Sequence, residues 1–251
     1  MRRRSLRTLV TALALLVAWA GGSLLLGPDV LPSPLAVAAR LAEVVLEGGP
    51  RGRSGLYHLG RSLARVAVVS LLTLVLSTAL GLAAGVDDRV DRVVGPWLPL
   101  WTTVPTLVVV LLCMVLLDFS EWAVVVGVTF VATPFAADNV RAGARSVDPA
   151  LLEMARSFGV DRRDVVREVY LPAALPQVVG GFRYLLGMVW KVVVLAETFG
   201  MDDGLGATFR FWFNQGDVTA VLAYLSLFVV TMVALQYGVG TASDRLFAWR
   251  G

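Results

Sequence analysis

The side chains that most often carry chemistry in proteins are scarce in this sequence. His58 is the only histidine, Cys113 the only cysteine and Lys191 the only lysine. Zinc sites and charge-relay triads need several such groups brought together. A phosphate-binding loop ends in Gly-Lys-Ser or Gly-Lys-Thr, whereas Lys191 lies between Trp190 and Val192. We therefore predict no catalytic residue, no metal site and no cofactor.

The elements that must position these residues are strongly apolar. Hydrophobic residues occupy 57% of the 251 positions and charged residues only 16%, and the mean hydropathy is +0.74. Soluble domains are rarely so apolar. Apolar runs of suitable length predict six membrane spans, at about 9–26, 66–82, 98–117, 122–137, 178–196 and 218–239. The predicted fold class is thus an all-α integral membrane protein of about six transmembrane helices, with a tight turn at 118–121.

The distribution of basic residues predicts the orientation of these spans, because basic loops are retained on the cytoplasmic side. With the N-terminus inside, 14 of the 22 arginine and lysine residues fall in cytoplasmic segments and five in outer segments. Both termini are therefore expected in the cytoplasm, and the net charge of +3 does not call for nucleic acid as a partner. The first run is either an uncleaved span, which its length favours, or a signal peptide cleaved near Ala18-Trp19-Ala20.

Two regions are expected along the chain. Residues 1–61 are predicted to form the N-terminal transmembrane helix and an outer-face segment, and residues 62–251 the core domain. Within that core, the longest cytoplasmic segment joins spans four and five, at about 138–175.

That cytoplasmic segment has the pattern of two short amphipathic helices. Asp148 is a suitable N-cap with Pro149 at the first helical position, and an apolar stripe follows at Leu151, Leu152, Ala155 and Phe158. Gly159 is expected to end this helix, Asp161 to cap the next one, and Pro172 to close it. Arginines 156, 162, 163 and 167 would be exposed. Such a hairpin could insert into a groove of a partner protein or lie on an anionic lipid surface, and the residues alone favour neither.

The spacing within this segment resembles a motif of the inner-membrane permeases of ATP-binding-cassette importers. That motif is Glu-Ala-Ala, three residues, Gly, nine residues, Ile, one residue and Leu-Pro. Here Glu153-Met154-Ala155, Gly159, Val169 and Leu171-Pro172 stand at the same spacing.

The resemblance implies a permease that is not itself an enzyme. It would work as a homodimer in the lipid membrane with two separate ATPase subunits and an extracytoplasmic substrate-binding protein. The implied ATPase-coupling residues are Glu153, Met154, Ala155, Gly159, Val160, Asp161, Val169, Leu171 and Pro172.

Other segments resemble the nitrate, sulfonate and taurine branch of these permeases. They are Leu31-Pro32-Ser33-Pro34, Ser62 to Val66, Gly180 to Arg183, and Ala196-Glu197 with Gly204-Leu205-Gly206. The branch implies a small anionic solute, with a thiamine pyrimidine precursor or another small nutrient as the alternative. The stretch 104–121 lacks the Pro-Leu and Trp-Phe-Gly pattern usual in the branch, which weakens the transfer of a substrate.

Lys191 lies deep in the fifth predicted span, where a charge is costly unless it faces water or a partner. We expect Lys191, together with Glu197, to line the substrate pathway. The alternative is that Lys191 pairs with Glu197 or Asp138, or lies at a subunit contact. Two rival functions, an ion-coupled secondary transporter and a membrane enzyme, would need paired intramembrane acids or a catalytic constellation, and neither is evident.

Overall fold

The structure, a computed structural model, describes residues 2–46 and 52–246, and these residues are almost entirely helical. The helices are α1 (Arg2–Leu26), α2 (Pro34–Leu46), α3 (Gly55–Val86), α4 (Asp88–Val94), α5 (Trp97–Trp101), α6 (Thr106–Leu116), α7 (Glu121–Arg145), α8 (Pro149–Ser157), α9 (Arg162–Val165), α10 (Leu171–Gly200), α11 (Leu205–Gln215) and α12 (Val218–Leu246). A single π-helical turn, Val166–Tyr170, joins α9 to α10.

Five of these helices are long and apolar enough to cross a membrane. The segments that qualify are Leu9–Leu26, Gly55–Val86, Glu121–Arg145, Gln177–Gly200 and Val218–Thr241. A sixth crossing is possible if the bent pair Asp88–Trp101 and Thr106–Leu116 counts as one span. The predicted all-α membrane fold with about six spans is therefore confirmed.

The third predicted span, 98–117, is not one straight helix. The segment Asp88–Trp101, which contains α4 and α5, meets α6 at an angle of 101°. Pro105 begins α6 without a backbone N–H and disfavours helical geometry at Val104. The hydroxyls of Thr102 and Thr103 donate to the carbonyls of Pro99 and Leu100, both at 2.7 Å, and so close the end of α5. Hydropathy alone does not distinguish this broken pair from one continuous apolar helix.

The tight turn predicted between the third and fourth spans is confirmed. Asp118 and Phe119 both adopt left-handed backbone conformations, with φ of 53° and 49°. Ser120 then caps α7, since its side-chain oxygen accepts a hydrogen bond from the Ala123 N–H at 3.3 Å.

Helices α3, α7 and α10 form the centre of the bundle. Their buried faces meet in one apolar core that includes Val69, Val124, Val128, Val189 and Trp190. The Trp190 ring stacks on Phe228 of α12 at 5.2 Å between centroids, which attaches the last helix to this core.

The bundle has two ends, which we name by what they carry. At the cluster end α3 and α7 begin and α10 ends. The three helices meet there, since Arg65 of α3 contacts Glu121 of α7 and Glu197 of α10. At the loop end α3 and α7 end and α10 begins, where Arg141 hydrogen-bonds Asp91 and α8 and α9 follow α7 in the chain.

Helix α3 approaches α7 closely enough to require glycine. A Cβ at Gly81 would lie 2.5 Å from the Ala137 carbonyl oxygen and 2.6 Å from Val140 Cβ. At Gly60, in the same helix, a Cβ would have no neighbouring atom within 4 Å.

We expect Gly81→Ala to destabilise the bundle by about 1–3 kcal/mol, because an overpacked contact must shift backbone. Gly60→Ala is expected to be neutral or stabilising by up to about 1 kcal/mol, since alanine favours the helix. Thermal unfolding in detergent, followed by tryptophan fluorescence, compares the two. Equal shifts would contradict the close packing of α3 on α7.

The division of the chain at residue 62 stays a prediction. Helix α3 begins at Gly55 and continues through that position. The segment before it contains α2, which the sequence did not predict. Residues 47–51 and 247–251, which belong to the two predicted regions, lie outside the described residues.

Candidate functional site

The predicted coupling segment begins as expected at the loop end. The Asp148 carboxylate accepts a hydrogen bond from the Ala150 N–H at 2.9 Å, and Pro149 occupies the first turn of α8. A cap of this kind stabilises a helix by about 1 kcal/mol. The predicted start of the first coupling helix is therefore confirmed.

A glycine bend follows α8, also as predicted. Gly159 has φ +66°, a conformation that other residues adopt only with strain. The Val160 N–H donates back to the Ala155 carbonyl at 3.0 Å, which closes the helix end. The Asp161 carboxylate then caps α9 by accepting from the Arg162 N–H at 2.8 Å.

The second coupling helix does not end at Pro172, which corrects the prediction made for that residue. Helix α9 passes through the π-helical turn directly into α10, and Pro172 lies in the first turn of α10. The Leu171 N–H donates to the carbonyl of Val166, five residues earlier. Pro172 has no N–H to donate, so the backbone hydrogen-bond ladder lacks one donor just after this turn. The backbone of α9 therefore continues into α10 without a break in helical conformation.

The outward face of α8 and the bend after it is apolar. We call Leu151, Met154, Phe158 and Val160 the coupling face. All four are exposed, and the Phe158 side chain is 79% exposed. Ala155, one helical turn after Leu151, is buried. Several exposed apolar side chains within ten residues, next to arginines, are typical of a protein–protein contact.

Ion pairs connect the coupling segment to the other loop at this end. An Arg162 guanidinium nitrogen lies 2.8 Å from the Asp87 carboxylate, just after α3. That hydrogen bond holds the pKa of Asp87 below its usual value. The Arg162 side chain is 70% exposed and that of Asp87 30%, so solvent screens the pair and its contribution to stability is small.

A second feature, which the sequence did not predict, is a buried charge network at the opposite end. Arg65 of α3 is only 3% exposed and joins three carboxylates. Its Nη1 lies 2.7 Å from Glu197 Oε1 of α10, and its Nη2 lies 2.6 Å from Glu121 Oε1 of α7 and 2.5 Å from Asp203 Oδ1 after α10. We call Arg61, Arg65, Glu121, Glu197 and Asp203 the Arg65 cluster.

Glu197 is fully enclosed at the centre of this cluster. Its Oε2 accepts hydrogen bonds from Ser62 Oγ at 2.7 Å and from the Gly206 N–H at 3.1 Å. Gly204 has φ +98°, and a Cβ there would lie 2.3 Å from the Glu197 carboxyl carbon. Glu197 is 0% exposed, so in this conformation its carboxylate ties α10 to α3 and to the first turn of α11 rather than lining an open path.

The outer part of the Arg65 cluster reaches the surface. Arg61 pairs with Glu121 and, at 3.0 Å, with Asp203. Burial disfavours the charged form of Asp203, but the hydrogen bond from Arg65 and the nearby positive charges outweigh it and hold the pKa of Asp203 below its usual value. The Asp203 carboxylate therefore stays ionised at neutral pH. Its stabilising contribution is present above the unfolded pKa and lost as the pH falls through the lowered one.

Lys191 lies on a different face of α10 from Glu197. Lys191 is exposed, and so are Gln177 and Tyr184 on the same helix. Gln177, Tyr184 and Lys191 follow one another at intervals of seven residues. Seven residues make about two helical turns, so the three side chains share one face. We call them the polar stripe. Glu197 pairs with Arg65, and Asp138 with Arg141 at 2.9 Å, so the carboxylates considered as partners for Lys191 are engaged elsewhere.

The two predicted sets of site residues thus lie at different depths. The coupling residues from Glu153 to Pro172 form a continuous segment at the loop end. Lys191 lies in mid-helix and Glu197 at the cluster end. Among residues 2–46 and 52–246, no group of three or more His, Cys, Asp or Glu side chains is placed to hold a metal ion.

Known proteins share most of this sequence. The family model for the inner membrane component of binding-protein-dependent transport systems matches residues 56–247. The chain belongs to this family. The matched region begins at the start of α3 and includes every residue predicted to couple to an ATPase.

Three permeases are among its relatives. The chain is 28% identical to the taurine transport system permease protein of Escherichia coli K12 over 96% of this chain and 88% of that protein. It is 30% identical to a putative aliphatic sulfonates transport permease protein of Bacillus subtilis 168, over 92% and 82%. It is 25% identical to a nitrate import permease protein of Synechococcus elongatus, over 94% and 85%.

The fold is also shared with a solved transporter. An inward-facing crystal structure of the MetNI methionine ABC transporter contains a chain that aligns with a TM-score of 0.62 and 22% identity. The alignment covers 74% of this chain and 91% of that one. At this level of identity the likeness concerns the fold alone. The permease therefore has the helical architecture of an ABC transporter's membrane subunit and is a transport component of the inner membrane.

Proposed function

We propose that this permease couples ATP hydrolysis by two separate ATPase subunits to the import of a small anionic solute. The observation that carries the proposal is the coupling face, an exposed apolar patch held rigid by the Asp148 cap, the Gly159 bend and the Asp161 cap. Burial of these side chains by a partner would recover the free energy that their exposure to water costs. The continuous helix from α9 into α10 would carry the partner's movement into the bundle.

We assign the loop end to the cytoplasm. Basic residues concentrate there, at Arg89, Arg92, Arg141, Arg145 and the four arginines of the coupling segment, as expected for retained loops. ATP is available on that side, and both termini would lie there too. The cluster end would then face outwards, towards a substrate-binding protein.

The polar stripe supports a solute pathway along α10. Lys191 lies 14 residues from Gln177 and nine from Gly200, which is about 21 and 14 Å at the helical rise. A lysine at that depth in lipid costs about 2.5–3.5 kcal/mol, whereas in a water-filled pathway it costs little. We infer that the stripe faces the pathway, and that a second copy of the permease closes the pathway on the other side.

An anionic cargo fits this lysine. The relatives named above transport taurine, aliphatic sulfonates or nitrate by their names, and a sulfonate or nitrate group carries a negative charge that a lysine in a narrow path attracts. A thiamine pyrimidine precursor is the competing cargo. It carries no such negatively charged group, so a lysine in the path would not attract it. Uptake of taurine, an alkanesulfonate and nitrate, measured beside uptake of the pyrimidine in cells expressing the whole importer, separates the two.

We expect Phe158→Ser to reduce ATPase recruitment at least tenfold, because a buried aromatic anchor at an interface is commonly worth 2 kcal/mol or about 30-fold. Gly159→Asp should have a similar effect through the strained bend. The measurement is co-purification of candidate ATPase subunits with the detergent-solubilised permease. Phe213→Ser is the matched control, because Phe213 in α11 is 77% exposed but lies outside the coupling segment.

Loss of recruitment in both coupling variants, with thermal unfolding unchanged, supports the proposal. If the wild type recruits no ATPase, or if Phe158→Ser and Phe213→Ser bind it equally well, the coupling assignment is wrong. An ion-coupled transporter would then be the better interpretation.

A further inference from the structure

A groove of about 620 Å³ lies at the loop end, between the end of α3 and the junction of α9 with α10. It has an apolar part and a charged part, lined by Leu82, Val166 and Leu171 and by Asp161, Arg162, Arg163 and Arg167. The coupling face does not contribute to it. A volume of this size is typical of sites that hold a small molecule or part of a lipid.

The groove lies at the depth of lipid headgroups. Helix α3 has 32 residues, or about 48 Å, which exceeds the hydrocarbon core of about 30 Å and reaches through the headgroup region. Leu82 is four residues before the last residue of α3, about 6 Å along the axis. The apolar part of the groove therefore lies near the edge of the hydrocarbon, and the arginines lie beyond it.

The charge of the groove is positive after its ion pairs are counted. Three arginines and one aspartate line it. Arg162 pairs with Asp87 at 2.8 Å. Arg167 lies 4.0 Å from Glu168, but both side chains are largely exposed, so this pair is weak. Arg163 and Arg167 supply the remaining positive charge, while the Asp161 carboxylate is engaged by the Arg162 N–H.

We propose that this groove binds an anionic phospholipid, with the phosphate on Arg163 and Arg167 and an acyl chain along Leu82, Val166 and Leu171. Guanidinium groups bind phosphate in a bidentate manner, and basic sites beside membrane helices select anionic headgroups. The two surfaces of the coupling segment then have different partners. The coupling face on α8 meets a protein, and the groove beside α9 meets lipid, so a bound lipid fixes the position of α9 where it continues into α10.

The test uses the purified full-length permease without ATPase subunits, so that its outcome is independent of ATPase recruitment. We expect dioleoyl phosphatidylglycerol to remain bound in native mass spectrometry and to raise the unfolding temperature. Dioleoyl phosphatidylcholine and inorganic phosphate should do neither. In the double variant Arg163→Gln/Arg167→Gln, bound phosphatidylglycerol should fall at least tenfold. Arg156→Gln is the matched control, because Arg156 is an exposed arginine of α8 outside the groove.

Three results would overturn the proposal. Equal retention of phosphatidylglycerol by the double variant and the Arg156→Gln control would show that binding is only general attraction to the basic loop. A shift produced by inorganic phosphate alone would assign the site to a soluble anion. Equal retention of phosphatidylcholine and phosphatidylglycerol by the wild type would show that the groove does not select an anionic headgroup.

Discussion

Arg65→Met is expected to destabilise the folded permease by about 3–5 kcal/mol, because removing one partner of a buried ion pair leaves the other charge uncompensated. The stranded group is Glu197, which is 0% exposed and 2.7 Å from the lost guanidinium. Glu121 and Asp203 also lose a hydrogen-bond donor. The measurement is thermal or chemical unfolding of the purified permease in detergent.

Two further variants separate buried charge from simple loss of an arginine. Arg53→Met removes a cation whose nitrogen lies 3.9 Å from Asp203 but whose side chain is 52% exposed, so it should cost no more than about 1 kcal/mol. Adding Glu197→Gln to Arg65→Met should recover part of the loss, since the amide carries no charge to strand. Equal unfolding of the Arg65 and Arg53 variants, or no recovery in the double variant, would contradict the buried network.

The Arg65 cluster shows what sequence patterns can and cannot reveal. Hydropathy identified α3, α7 and α10 as spans, and the rule that intramembrane charges need partners could have marked Arg65 as a residue requiring an explanation. Its three carboxylate partners, however, are 56, 132 and 138 residues away along the chain. Only the packing of three helices decides which carboxylates meet this arginine, and no local pattern contains that information.

Features fixed by local geometry were predicted well. The Asp148 and Asp161 caps and the Gly159 bend depend on a few neighbouring residues, and each appears in the structure. The predicted stop at Pro172 is wrong because the π-helical turn Val166–Tyr170 carries the helical backbone on into α10, and Pro172 follows that turn without ending the helix. Whether a proline begins or ends a helix depends on the residues before it, and the π-helical turn there could not be predicted.

Helix geometry also argues against a pairing between Lys191 and Glu197. Six residues separate them, and at about 100° per residue they point about 120° apart around α10. One therefore lies in the buried cluster and the other on the exposed polar stripe. The same helix can serve structure on one face and transport on another.

Lys191→Met is expected to reduce uptake of an anionic substrate by about 10- to 100-fold, because a charge-assisted hydrogen bond to the passing anion, worth about 1.5–3 kcal/mol, is lost. Lys191→Arg should retain most uptake, since it keeps the charge on the polar stripe. Uptake of taurine, an alkanesulfonate and nitrate by cells carrying the whole importer provides the readout. Co-purification of ATPase subunits with each variant confirms that the complex still assembles.

Arg183→Met is the matched control, because Arg183 is the other basic residue in the Gln177–Gly200 segment and stands outside the polar stripe. A Cβ at Gly240 of α12 would lie 2.9 Å from its guanidinium, so Arg183 packs against α12. Its loss should affect stability more than transport. If Lys191→Met transports anions as well as the wild type does, or if both variants lose uptake equally, the lysine does not select the cargo. The polar stripe would then be a contact between subunits, and selection would pass to the binding protein.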